Sequence, residues 1–345
     1  LEDGDITVSA GDNGQTVSQG SNTDVADDAP VIKQRDSAAA TGSTITMKTS
    51  GDGTANVTIK DINISSTGDA IDVGSSSANI TLEGDNKIFS ETGSALHVSD
   101  GDVTITGSGS LEAEIGDNEN NNAKIGSHED EDMSGKIHIT GSATVTTEDD
   151  GEDDFYGDGA GIGSGEYGNM SGSITIDGNA KVTAWSEDNG AGIGSGEDGD
   201  VSGTITIGSS AQVTAGSDNG GAGIGAGTYG SITSTGRIIL RDSAKVTAIG
   251  EDEGTGIGAG EDNRMAGLVI IQDNAQVTAI AGDSAAAIGS DDQDDMRGTI
   301  LILGNARITT GMLLNDKVAF NYKTKEIEYT LDKNAIGRIG DDKVF

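Results

Sequence analysis

The sequence predicts an all-β protein, a right-handed single-stranded parallel β-helix with an irregular cap at each end. Three observations predict it. The first is a recurring pentapeptide. Gly159-Ala160-Gly161-Ile162-Gly163 returns at 190–194 and 221–225, as Gly254-Thr255-Gly256-Ile257-Gly258, and more weakly at 285–289, so that the isoleucines are 31, 31, 33 and 31 residues apart. Self-similarity at such a period marks stacked repeats. The second is alternation: each repeat carries short runs of small aliphatic and polar residues with the period of a strand rather than a helix. The third is composition, since 55 Gly, one Pro and 3% aromatic residues leave only a thin core, which suits one elongated domain over residues 1–345. Right-handedness is expected from the preference of parallel crossovers.

In chain order, residues 1–45 are expected to form an N-terminal cap with an incomplete first coil, because an uncovered solenoid end exposes core and unpaired strand edges. The coils occupy 46–310. The isoleucine position occurs eight times, at Ile71, Leu96, Ile125, Ile162, Ile193, Ile224, Ile257 and Ile288. Each full coil has three strand signals, and in the coil of Ile162 alternation points Ile174, Ile176, Ala180, Val182 and Ala184 inward. The next coil repeats this with Ile205, Ile207, Ala211, Val213 and Ala215. Between Ile125 and Ile162 the interval grows to 37 residues, and the surplus, Glu148 to Tyr156, is expected to loop out on one face. Bulkier residues after Gly311, among them Phe320, Tyr322 and Tyr329, mark a C-terminal cap over 311–345.

A formal charge of −38, from 58 acidic and 20 basic residues, argues against nucleic acid, whose phosphates need clustered Lys and Arg. Anionic membrane surfaces are disfavoured for the same reason, and no apolar run approaches a bilayer span. With no Cys there are neither disulfides nor thiolate metal sites. The chain opens without Met and without a leader, and a processed form or fragment is expected. An acidic, Cys-free, Gly-rich repeat suits a secreted or cell-surface bacterial protein, expected to be a monomer.

Acidic residues recur at fixed distances from the isoleucine. Four residues after it stand Glu166, Glu197 and Glu261, and five or six before it stand Glu187, Asp188 and Asp218. Coils stack about 4.8 Å apart, so neighbours in such a file repel by roughly 0.9 kcal/mol even at the dielectric of water. Bridging cations relieve that repulsion, and calcium suits oxygen-rich loops; Asp153 and Asp154 in the insertion join the candidate ligands. Five residues after the isoleucine the file reads Asp130, Tyr167, Asp198, Tyr229, Asp262. Aromatic faces beside carboxylate acceptors make a sugar-binding surface, so Tyr167, Asp198, Tyr229 and Asp262 are the candidate ligand-binding residues; local packing of the tyrosines is the competing expectation. Trp185 is expected to pack at a corner. A threonine file from Thr146 to Thr309 raises ice binding, but one Thr per coil, interleaved with Lys181 and Gln212, describes an ordinary β-helix wall. His97, His128 and His138 show no metal-ligand spacing, and neither a nucleophile elbow nor a phosphate loop is present. No catalytic residue is assigned.

The run 59–73, Ile-Lys-Asp-Ile-Asn-Ile-Ser-Ser-Thr-Gly-Asp-Ala-Ile-Asp-Val, with Val103-Thr104-Ile105-Thr106-Gly107-Ser108-Gly109 and the Gly-Ala-Gly-Ile-Gly coils, resembles the secreted carbohydrate-binding β-helix proteins of clostridia, similar in fold to polysaccharide (pectate) lyases. The resemblance covers roughly 45–310 and rests on repeat style. It implies bound calcium and affinity for plant cell-wall polysaccharide such as cellulose or polygalacturonate. A lyase-like arginine constellation has no counterpart, since Arg237, Arg241, Arg264 and Arg297 share no file. Non-catalytic, calcium-assisted polysaccharide binding is therefore expected, with a calcium-dependent lyase or hydrolase and a surface adhesin as alternatives.

Overall fold

Each coil of the computed structural model folds its three runs of alternating residues into one rung of each of three parallel sheets. The structure describes residues 1–116, 120–147, 157–290, 296–321 and 326–331, with side chains described to Leu313. In the coil of Ile162 the rungs are Ile162–Gly163, Ser173–Ile176 and Lys181–Ser186. Stacking is in register: Ile162 pairs with Ile193, Ile193 with Ile224, Ile224 with Ile257 and Ile257 with Ile288. The molecule is a parallel β-helix built on three walls.

Residues expected inside are inside. Ile174, Ile176, Ala180, Val182 and Ala184 are at most 2% exposed, and their counterparts Ile205, Ile207, Ala211, Val213 and Ala215 at most 3%. Each buried Ile or Val contributes about 2 kcal/mol of apolar transfer energy. A further file lies between the first and second walls, where Met133, Met170, Val201, Ile232 and Met265 are linked by single parallel bridges and fully buried. One-residue bridges carry no alternation, so this file left no period-2 signal.

The isoleucine file also begins earlier than the eight sequence positions. Ile71 pairs with Ile45, and Ile45 with Ile6, so Ile6–Gly11 is already a rung of the first wall. Val31–Lys33 joins the second wall beside Thr58, Ile59 and Lys60, and Thr41 bridges to Ile64 on the third. The antiparallel strands Gly14–Gln19 and Asn22–Ala26 continue the first wall outward. At the other end Arg307–Asn321 and Glu326–Leu331 pair antiparallel on the third wall. Tyr322 and the side chains of Phe320 and Tyr329 lie outside the described residues, as does the insertion at 148–156 with Asp153 and Asp154. Among the described residues no helix is long and apolar enough to cross a membrane.

First-wall rungs shorten along the chain. Ile71–Gly74 has 4 residues, Leu96–Val98 has 3, and from Ile125–Gly126 onward each has 2. The glycine of every two-residue rung sits at φ between 145 and 154°: Gly126, Gly163, Gly194, Gly225, Gly258 and Gly289. L side chains rarely adopt that conformation, and the next coil adds a steric reason, because a Cβ on Gly194 would lie 1.6 Å from the Gly225 carbonyl oxygen. Gly194→Ala is therefore expected to cost at least about 3 kcal/mol. Gly68→Ala, with nothing within 4 Å of the added carbon, is expected to change stability by less than about 1 kcal/mol; urea unfolding of the two variants checks the contrast.

Candidate functional site

After the rungs of Ile125, Ile162 and Ile193 the chain makes a tight turn that a serine fastens, whereas Ala226 and Ala259 stand at that place after the rungs of Ile224 and Ile257. Ser164 Oγ donates to the Gly168 carbonyl (2.7 Å) and accepts from Gly196 N–H of the next coil (3.3 Å); Ser195 Oγ does the same with Gly199 (2.5 Å) and Gly227 (3.2 Å). Both serines are fully buried. Gly168 N–H closes the turn on the Gly165 carbonyl at 3.1 Å, and Gly199 closes its own on Gly196 at 3.2 Å. The turns stack through their backbones, with Tyr167 N–H donating to Glu197 C=O (2.9 Å), Asp198 to Thr228 (2.9 Å) and Tyr229 to Glu261 (3.0 Å). Turn, staple and ladder together hold this face rigidly.

The third residue of every turn is left-handed: Asp130 at φ 61°, Tyr167 at 60°, Asp198 at 57°, Tyr229 at 59° and Asp262 at 54°. Aspartate tolerates this conformation, but tyrosine gains nothing from it and is held there at about 1–2 kcal/mol. Tyr167 is 50% exposed and Tyr229 47%, so half of each side chain faces water. The Tyr167 hydroxyl donates to the Glu166 carboxylate, which pushes the phenol up to about 12. Neighbouring carboxylates, Glu261 foremost, also raise Tyr229.

Beside the tyrosines the loops before and after the rung are zipped together. Glu166 N–H donates to Asn121 C=O (2.9 Å), Glu197 to Asp158 (2.9 Å), Thr228 to Asn189 (2.8 Å) and Glu261 to Gly220 (2.8 Å). The file that meets Glu166 and Glu197 is thus the fourth residue before the isoleucine, and not the fifth or sixth. One carboxylate oxygen each of Asp158, Glu166 and Glu197 lie within 4.8 Å of one another. Asn189 Nδ2 donates to Asp158 Oδ1 at 2.9 Å, orienting that carboxylate. Burial, then the charges of Asp158 and Glu166, push Glu197 up to about 7, and burial likewise raises Glu166. Glu197 and Asp158 are hydrogen-bonded side chain to side chain. In the following coil Thr228 and Gly220 occupy the corresponding places, and Thr228 Oγ1 donates to Asn219 C=O at 3.1 Å. The cluster is confined to two coils.

The remaining acidic candidates stand elsewhere. Glu187 forms an ion pair with Lys124, whose ammonium is buried and also donates to Trp185 C=O at 3.2 Å. Asp188 accepts from Asn219 Nδ2 at 2.8 Å. Asp218 accepts from the Trp185 indole N–H at 2.5 Å. Trp185 is 3% exposed and packs with Ile249, Ile280 and Leu313 in a small cluster outside the main core, its ring lying where a Cβ on Gly216 would be 2.1 Å away. It is a corner residue rather than a platform. Glu261 lies against Gly220, and Asp262 holds the left-handed position next to it. Among the described residues the groups able to hold a metal are Asp158–Glu166–Glu197 and Asp69–His97–His128; sequence reasoning passed over Asp158 and both histidines. His97 stands one residue after Leu96 and His128 three residues after Ile125, so the two share no offset and the coil period does not pair them. The chain matches no protein-family model, no curated protein and no solved structure.

Two expectations follow. Tyr167→Asn and Tyr229→Asn are each expected to raise stability by about 0.5–1 kcal/mol, measured by chemical unfolding, because asparagine accepts the left-handed turn without penalty. Asp218, pushed up to about 7 mainly by burial from an ordinary value of 3.8, holds a proton in the folded chain that the unfolded chain releases. Stability therefore falls as pH rises through the window from about 4 to 7. Asp218→Asn is expected to flatten that decline and to raise the melting temperature at pH 8 by several degrees, read from thermal melts across pH 4–8.

Proposed function

We propose that this chain is an extracellular, non-catalytic binder of plant cell-wall polysaccharide, cellulose or polygalacturonate, along the face of stacked turns. The observation that carries the reading is the pair Tyr167 and Tyr229, half exposed and in one file, both in a backbone conformation that tyrosine ordinarily avoids. Strain retained at exposed aromatic residues is accounted for by a role outside folding. The two rings stand two coils apart, about 10 Å, and sugar C–H faces stack on such rings while hydroxyls donate to carboxylates. The resemblance of residues 45–310 to clostridial carbohydrate-binding β-helices supports the same substrate class.

Asp158, Glu166 and Glu197 would hold calcium. Their donor atoms are all carboxylate oxygens, hard ligands that suit this ion, and the crowding that lifts Glu197 to about 7 is what a divalent cation relieves. When bound, calcium supplies positive charge to an acidic face, and for polygalacturonate it bridges protein and ligand. The raised carboxyl of Glu197, hydrogen-bonded to Asp158, favours a second reading, a glycoside hydrolase in which Glu197 is the acid.

Retention on insoluble cellulose and on immobilised polygalacturonate, with calcium or with excess chelator, tests both readings. The Tyr167→Asn, Tyr229→Asn double variant is expected to lose at least tenfold in affinity while staying folded, and chelator to abolish polygalacturonate retention. Unchanged retention by the double variant removes the binding face. New reducing ends that vanish in Glu197→Gln establish the hydrolase instead.

A further inference from the structure

We propose that Asp69, His97 and His128 form a site for a divalent transition-metal ion of the zinc type, on the first-wall coils that precede the acidic cluster. The three residues come from successive coils: Asp69 precedes Ile71, His97 follows Leu96, and His128 follows the rung Ile125–Gly126. Stacking brings them together on a diagonal. His128 Nε2 lies 2.8 Å from Asp69 Oδ1, and His97 Nδ1 lies 3.7 Å from Asp69 Oδ2. One donor atom from each residue falls within 4.8 Å of the others, a span that one ion with bonds of about 2.0–2.2 Å draws together. Asp72 Oδ1 lies 3.0 Å from the same His97 nitrogen, and the three donors leave room for water to complete the shell of a zinc-type ion.

The surroundings are built as the outer shell of such a site. His97 Nε2 is 2.9 Å from Glu131 Oε2, the carboxylate–histidine contact that fixes ring orientation and raises ligand basicity. Glu131 is itself positioned by the His128 backbone N–H at 3.2 Å, and Asp69 by the Ser94 backbone N–H at 2.9 Å. The Ser94 hydroxyl is the one buried side-chain polar atom without a hydrogen-bond partner among the described residues, so the residue that holds Asp69 keeps a polar group in reserve. The imidazoles are stacked, centroids 3.9 Å apart and planes 9° from parallel, so shared ligation would require the two rings to turn out of this stack. Two imidazoles select a zinc-type ion over calcium, which takes oxygen ligands. The site also has a structural setting. It spans the coils over which first-wall rungs shorten from 4 to 2 residues, and the ladder shifts register between His97 and Val98. An ion there ties the two kinds of coil together.

The test is titration of chelator-treated protein with Co2+ and Zn2+. The expected result is one saturable equivalent with the intense visible bands of tetrahedral cobalt, displaced by zinc and not by excess calcium, and a higher melting temperature with zinc. His97→Asn and His128→Asn are each expected to weaken this binding at least tenfold, while Asp158→Asn with Glu197→Gln leaves it unchanged. X-ray absorption on the wild-type zinc protein, independent of whether the variants fold, is expected to show imidazole scattering from two histidines. An oxygen-only shell, or cobalt spectra identical in wild type and the double histidine variant, overturns the proposal.

Discussion

The parallel backbone ladder between coils is the interaction on which the rest of the molecule depends. With 33% hydrophobic residues and 3% aromatics, side-chain burial is spread thinly, and the coils are held in register by N–H to C=O bonds repeated at every rung. Such bonds leave little room for error. Each is worth about 1 kcal/mol net, but leaving its partners buried and unmet costs more. Residues that perturb coil spacing are therefore confined to turns, and residues at contact points are reduced to glycine.

The same ladder turns a one-dimensional repeat into a surface. A residue at a given offset from the isoleucine lies directly above its counterpart, so whatever chemistry a single turn carries is presented as a file. Tyr167, Asp198 and Tyr229 demonstrate this on the outside, and Ser164 and Ser195 beneath them. The buried serines spend their hydroxyls on turn closure under Tyr167 and Asp198, while the turn of Tyr229 begins at Ala226 and keeps the left-handed position without one.

Much of this was legible in the sequence because the period transmits position. Ile162, Ile193 and Ile224 share one file, and the alternation that placed Ile174 and Val182 inside needed only local pattern. The file four residues after the isoleucine was readable for the same reason. Its partner was misplaced because the loops before the isoleucine vary in length and lack alternation; Asp158 stands alone among Asn121, Asn189 and Gly220, and a lone residue has no period. The diagonal of Asp69, His97 and His128 was hidden more deeply. Each sits at a different offset from its own Ile or Leu, so convergence depends on the side chains' reach across coils. Glu187 is set apart by one residue, Lys124, which pairs with it and stands in a file otherwise occupied by Gly and Ala at Gly161, Gly192, Gly223 and Ala287.

The interruption of the acidic file at Thr228 and Gly220 has a consequence for the atmosphere of ions around the molecule. An unbroken row of equal charges behaves as a line, along which counterions condense loosely and slide. Thr228 breaks the row after Glu129, Glu166 and Glu197 and replaces that smooth trough with a separate well, deep at Glu166 and Glu197 and shallow at Thr228. Negative potential is then concentrated at fixed heights on the rod instead of running along a uniformly charged rail.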